Sequence, residues 1–371
     1  MTNEKQTKVQ ITKGMFIALF VNLIFVKAIG VTQGSIARQV GQDMWIATLL
    51  GTLQGIAMMY ITYVVIRKTP SLDFMALTER LAGKWAAKIL ALIVFLFFLA
   101  GFGPIMITFV YHLQDYFLPE APLYLFIVAP LLVGSLGCFY GLEVMARLAL
   151  VGLLFIFLLN LLIIMGSTNE FDIRNLLPVM ENGFPRTFAA SLDFDTDWAL
   201  ATMLAGIVLP SVKNAGKAGG KAAMVGILAS GLLTMIWSIL EGAVLSAEVT
   251  SQYTISCMKL ARNAHMGNFL QRYEMIMIAL YSIPILCEIM FCIYATSISA
   301  ARIAGLKSNR TMIPIVSVLL GVFGYWIVDD HFRAINYLEN FWPWIALPVA
   351  FGLPVLMLLL RLMLGKKLNK A

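Results

Sequence analysis

Charge is scarce in this chain. Only 13% of its 371 residues are Asp, Glu, Lys or Arg, while 60% are hydrophobic, and the mean hydropathy is +0.85. Soluble domains carry about 25% charged and about 45–50% apolar residues, so the surplus apolar surface needs lipid to cover it. Cysteine is scarce too. Cys138, Cys257, Cys287 and Cys292 form no C-x-x-C pair, which removes a disulfide framework and a thiolate metal site from consideration. His112, His265 and His331 stand too far apart in sequence to argue for a metal. No phosphate loop follows a strand, and GKAGGK at 216–221 lacks the spacing of one. No nucleophile–base arrangement and no cofactor motif points to an enzyme. The net charge of +7 is dispersed among apolar segments, so nucleic acid is not the expected partner; the lipid bilayer is. The polar start (MTNEKQTKVQITKG) leads into a segment without a small-residue cleavage site, so no secretory signal peptide is expected.

Ten apolar spans fill what remains, at 14–37, 44–66, 88–112, 121–139, 148–166, 195–212, 221–246, 272–301, 312–328 and 341–361. At roughly 20 residues per crossing, they leave no room for a large soluble domain. The polar stretches between them alternate in charge. One side holds 19 of the 27 Lys and Arg, among them Arg67, Lys84, Lys213, Arg302 and Lys366, and the other holds seven. Basic loops mark the cytoplasmic side, which places both termini there. Miscounting one span would blur that asymmetry. Trp45, Trp85, Trp198, Trp326, Trp342 and Trp344 cap spans, where headgroup-level tryptophans are expected. The longest outer loop, 167–194, includes a candidate interfacial helix in NLLPVMENGFP.

Two spans make poor helices. Span one carries Lys27, Gly30, Thr32, Gln33 and Gly34 at or beyond mid-membrane. Each glycine weakens a helix by roughly 1 kcal/mol relative to alanine. Span six, preceded by DFDTD, has only about 15 uncharged residues and contains Thr202, Gly206 and Pro210. Interrupted segments at matching places in two halves of five are the sequence mark of inverted-repeat transporters, whose broken helices surround a midplane ligand. Irregular backbone cannot face lipid. The alternative is a pair of ordinary kinked helices packed on their neighbours.

Ionisable residues inside a membrane usually face a cavity or one another. Lys27, Glu241 and Glu288 are the three candidates, with Glu288 midway between Glu274 and Arg302 in span eight. Lys27 is a candidate counter-ion for Glu288. Snorkelling to an interface is the alternative for Lys27, headgroup contact for Glu241, and a structural hydrogen bond for Glu288.

The strings GQDMWI, LAGKW, GLEVMAR, FDIRNLLPVMENG and QRYEMIMIALY follow one another along the chain. In this order and spacing they resemble the membrane-embedded B subunits of endospore nutrient-germinant receptors, a branch of the amino acid–polyamine–organocation transporter superfamily. The resemblance implies an all-α membrane protein in a single domain, 1–371. Its ten transmembrane helices would form a five-plus-five inverted repeat (about 10–166 and 195–365) with helices one and six broken. The implied function is sensing of a small germinant, an amino acid or similar nutrient, together with receptor A and C subunits in the spore inner membrane. A proton- or sodium-coupled amino-acid symporter is the alternative. Carried onto this chain, the implied site comprises Lys27, Ala28, Gly30, Phe97, Gly101, Ala201, Thr202, Leu204, Cys287 and Glu288. Leu204 stands where members often carry glutamate.

Overall fold

The computed structural model describes residues 10–267 and 271–365; the side chains of 27, 28, 217 and 218 fall outside that description. Within it the chain is helical almost throughout. Span one is α1 (Lys13–Lys27), a π-helical turn (Ala28–Thr32) and α2 (Gln33–Val40). There follow α3 (Met44–Ile66), the short α4 (Phe74–Ala82), α5 (Lys84–Tyr116), α6 (Leu123–Tyr140) and α7 (Leu142–Ser167). The second half holds α8 (Phe184–Val208) and α9 (Gly220–Leu240), which continues as a π-helical turn over Glu241–Leu245. A hairpin of α10 (Ala247–Gln252) and α11 (Ser256–Asn263) leads to α12 (Tyr273–Ala304), α13 (Met312–Val328), α14 (His331–Asn336) and α15 (Trp342–Leu364). Each of the ten predicted spans coincides with one of these long elements.

The order of contacts shows how the spans run. Gly41, with φ +59°, reverses the chain between α2 and α3. Tyr63, Thr52 and Thr48 of α3 then meet Gly220, Gly231 and Ser238 of α9, so α3 and α9 are antiparallel. Phe20 meets Gly226 and Gln33 meets Ser238, so span one runs parallel with α9. Span one is the centre of the molecule: every residue from Ala18 to Val26 is buried. A helix apolar on all sides is one enclosed by other helices, here α7, α9 and α12. The outer helices are apolar for a different reason. Leu132, Leu154, Val318 and Val322 stay exposed on α6, α7 and α13, as side chains facing lipid do.

The contacts between loops fall into two sets. Ile11 pairs with the Ser211–Lys213 backbone, and Arg302 reaches Asp73 (3.0 Å) and Glu79 (3.7 Å), on one face. On the opposite face Arg38 reaches Glu339, Gln42 reaches Glu181, and Met180 donates its N–H to Asp43.

Three expectations are corrected. Span six is not broken: Phe184–Val208 is one continuous helix, tightening into a 3₁₀ turn only at Leu209–Ser211, where Pro210 sits. Its polar residues bond within the helix or across to neighbours, so nothing pulls the backbone out of register. Trp198 and Trp342 lie in the core, fully enclosed, because α8 and α15 turn them inward against α3 and α5. The stretch NLLPVMENGFP forms no interfacial helix: a short 3₁₀ turn at Ile173–Leu176 precedes it, and Pro178, Met180 (φ +62°) and Gly183 (φ +75°) interrupt any longer run before α8 begins at Phe184.

Candidate functional site

In a π turn the backbone bonds skip five residues, a local widening found often at functional sites. The turn at Ala28–Thr32 marks where span one passes from an apolar stretch to one whose polar side chains reach outward. Thr32 Oγ1 donates to Asp197 Oδ2 (2.9 Å) on α8. Ser35 and Gln39 both donate to Asp193 Oδ2 at 2.7 Å. On another side of the helix Ser238 donates to Gln33 Oε1 (2.6 Å) and shares a hydrogen bond with Thr48. Asp195, two residues from each of its acidic neighbours on α8, projects toward α3 instead. With the Gln54 amide turned to donate, its nitrogen lies 2.7 Å from Asp195 Oδ2 and its oxygen accepts from Ser191.

A cleft of about 280 Å³ opens on the face that carries Arg38 and Glu339. One wall is span one (Val31, Thr32, Ser35, Arg38 and Gln39), and α8 supplies Asp193 and Thr196. The facing wall is the start of α15 with the turn before it (Leu338, Glu339, Trp342, Pro343). Thr254, between α10 and α11, completes the rim. Arg38 ties two walls together, bonding Glu339 Oε1 at 2.9 Å and the Ser251 carbonyl at 3.2 Å. The cleft therefore offers carboxylates, hydroxyls and one guanidinium above an indole floor, a mixed lining suited to a small polar molecule.

None of the eight sequence-predicted residues whose side chains are described lines this cleft. They lie in the packed layer beneath it, on four different spans. Phe97 and Gly101 on α5 touch the underside of Trp342: the Phe97 and Trp342 rings are 5.6 Å apart, and a Cβ at Gly101 would fall 3.1 Å from the indole. Leu200 of α8 closes on Gly101 from the other side, beside buried Ala201, Thr202 and Leu204. Thr202 bonds to carbonyls of its own helix, at Trp198 and Ala199. Gly30 lies in the π turn against Thr108 and His112 of α5. Cys287 and Glu288 are fully buried on α12. The Lys27 and Ala28 side chains lie outside the described residues, and with them the Lys27–Glu288 pairing. Glu241, expected near headgroups, is fully buried at the head of its π turn and accepts a hydrogen bond from Ser256.

Sequence reasoning missed Arg38, Asp193, Glu339 and Trp342 as lining residues. DFDTD stood out, but as a loop before span six. The signal that it is helical lies upstream: glycine, then Pro185 in the first turn, is a helix start. Beginning α8 at Phe184 brings all three acids inside the helix.

A helical membrane protein built around an interrupted helix beside a polar-lined cleft has the architecture of the inverted-repeat transporter fold. Comparison with solved structures shows the same fold. A nucleobase-cation-symport-1 family transporter, Mhp1, in a closed conformation with bromovinylhydantoin bound, matches with a TM-score of 0.68 at 15% identity, covering 92% of this chain and 77% of that one. A Na⁺-coupled sialic acid symporter in its substrate-bound outward-open state matches at 0.66 and 10% identity, over 93% and 80%. A manganese transporter of Eremococcus coleocola matches at 0.63 and 14% identity, over 92% and 78%. The fold is thus the all-helical inverted-repeat transporter fold.

Within that class the chain belongs to the spore germination protein family of permeases, whose model matches residues 10–329. Two relatives from Bacillus subtilis (strain 168) agree. Spore germination protein YndE is 24% identical over 286 residues, 75% of this chain and 76% of its own. Spore germination protein KB is 22% identical over 282 residues, 74% and 73% of the two chains.

Proposed function

We propose that this protein is the membrane-embedded sensing subunit of a spore germination receptor, binding an amino acid or similar small nutrient at mid-membrane beneath the outer cleft. The observation that carries the reading is the stacking of the two layers: the floor of a polar-lined cleft, Trp342, is also the roof over Phe97 and Gly101. A ligand entering from outside meets Arg38, Asp193 and Glu339 first. Tilting of the indole then admits it to the layer formed by Lys27, Ala28, Gly30, Phe97, Gly101, Ala201, Thr202, Leu204, Cys287 and Glu288. The chain acts as one membrane domain of two repeats, with both termini cytoplasmic, in the spore inner membrane beside receptor A and C subunits.

The test is thermal unfolding of the purified full chain against each of the twenty amino acids. At least one should raise the unfolding temperature, and Gly101→Ala, whose methyl presses on Leu200 and Trp342, should reduce that rise. A flat response across the panel, or a response untouched by Gly101→Ala, would contradict the mid-membrane site. The transporter neighbours favour a second reading, a proton- or sodium-coupled symporter. Uptake of the stabilising amino acid into proteoliposomes, driven by an imposed ion gradient, would support it over sensing alone.

A further inference from the structure

The α10–α11 hairpin touches span one at two places, one on each side of the π turn. The outer attachment is direct. Gly34 of α2 lies so close to the hairpin that a Cβ there would sit 2.3 Å from the Tyr253 carbonyl oxygen, and Arg38 donates to the Ser251 carbonyl. The inner attachment runs through three side chains. Cys257, at the head of α11, lies 3.3 Å from His112 Nε2, and the His112 ring stacks on Tyr281 of α12 with centroids 4.7 Å apart. Tyr281 donates its hydroxyl to the Val26 carbonyl at 2.9 Å, two residues before the π turn begins.

The proton positions along this path follow from its partners. His112 Nδ1 is 2.6 Å from the Thr108 carbonyl, which only accepts, so Nδ1 carries the ring proton. In the neutral ring Nε2 is then an acceptor, and the Cys257 thiol is its donor. The imidazole is fixed at both nitrogens, and its flat face fixes the phenol. His112 also lies against Gly30 inside the turn, 3.5 Å from where a Cβ would be. The path therefore reaches the turn itself as well as the carbonyl before it.

We propose that Ser251–Cys257 is a strap that holds span one on both sides of its π turn, so that the outer hairpin and the turn move as one unit. Thr254, midway along the strap, lines the cleft. A molecule seated there presses on a segment anchored to α2 at one end and, through Cys257, His112 and Tyr281, to the Val26 carbonyl at the other. Cys257, His112 and Tyr281 are positioning residues: they set the backbone of span one without facing the cleft. The strap is the same whether the protein senses or transports.

Hydrogen exchange of the full chain in detergent, read by mass spectrometry, tests it. Tyr281→Phe keeps the stacked ring and removes only the donor to Val26; Cys257→Ala removes the thiol donor; Cys257→Ser keeps a donor there. Tyr281→Phe and Cys257→Ala should each speed exchange over residues 28–36 about fivefold, the weight of one hydrogen bond. Cys257→Ser should stay within about twofold of the native rate, and Ser282→Ala, whose hydroxyl bonds its own helix at Ile278, should match native. A purely local packing role for Cys257 would raise exchange over 256–263 alone, and that result overturns the strap. So does native exchange over 28–36 in Tyr281→Phe, or equal effects of Cys257→Ser and Cys257→Ala. Should Cys257→Ala not accumulate, Tyr281→Phe against Cys257→Ser decides the question on the same readout.

Discussion

Spans one and six contain the same ingredients, glycines beside polar residues in the middle of an apolar run, and they fold differently. Span one widens into a π turn at Ala28–Thr32, whereas span six stays a regular helix from Phe184 to Val208. The threonines and glycines of the two spans also find different surroundings. In span six Thr202 bonds its own preceding turn, and Gly206 serves close packing, since a Cβ there would meet Phe74 at 2.6 Å. In span one Thr32, Gln33, Ser35 and Gln39 all bond residues on other helices. Within the turn itself Thr32 reaches across to Asp197, and Gly30 packs against Thr108 and His112 of α5. The acids of α8 accept such cross-helix bonds without leaving the regular ladder. Composition alone does not break a helix.

That contrast breaks most easily at the glycines. Gly34→Ala forces a methyl group onto the Tyr253 carbonyl, a backbone atom that cannot rotate away. Overpacking a tight core costs about 1–3 kcal/mol, and this substitution should fall at the upper end, lowering the unfolding temperature more than any other single change considered. Gly206→Ala meets only the Phe74 ring, which can shift, so its loss should be clearly smaller. Equal losses would remove the distinction between a fixed strap and an adjustable side chain.

A second pair probes the threonines. Thr32→Val strips a donor from the buried Asp197 carboxyl group, and removing one partner of a buried hydrogen bond costs about 1–3 kcal/mol. Thr202→Val removes only bonds to its own helix and replaces them with a methyl of similar size, so it should cost under about 1 kcal/mol. Chemical unfolding of both variants in one detergent gives the comparison. The smallest effect belongs to the rim. Arg38 and Glu339 are 38% and 42% exposed, and such pairs contribute at most about 1 kcal/mol. Glu339→Gln should leave stability almost unchanged.

Most of the fold was legible in the sequence because membrane insertion imposes a simple rule: long apolar runs, with basic residues collecting on one side. The long-range ion pairs Arg38–Glu339 and Arg302–Asp73 each join loops that the charge pattern had put on a common face. The site was legible only in part. Gly30 and Glu288 were visible as anomalies in apolar surroundings, but Arg38, Asp193 and Glu339 looked like ordinary outer-loop charges. What makes them a cleft is that α8 begins nine residues before Asp193, and that the turn before α15 brings Glu339 to Arg38 across 301 positions of sequence. Neither is a local property. Trp198 and Trp342 misled for a related reason: a tryptophan near the end of a span reads as an interfacial anchor until the neighbouring helix shows that it faces inward.

On binding, span one is the element that responds and span six the element that stays. Paired spin labels measure this directly, one pair across the cleft at Gln39 and at Ile335 of α14, which also lines it, another at Phe188 and Leu53 on the outward sides of α8 and α3. With an amino acid that stabilises the chain against heat, the first distance should change while the second holds. A first distance that is fixed on binding, or a second that moves as far, would contradict it.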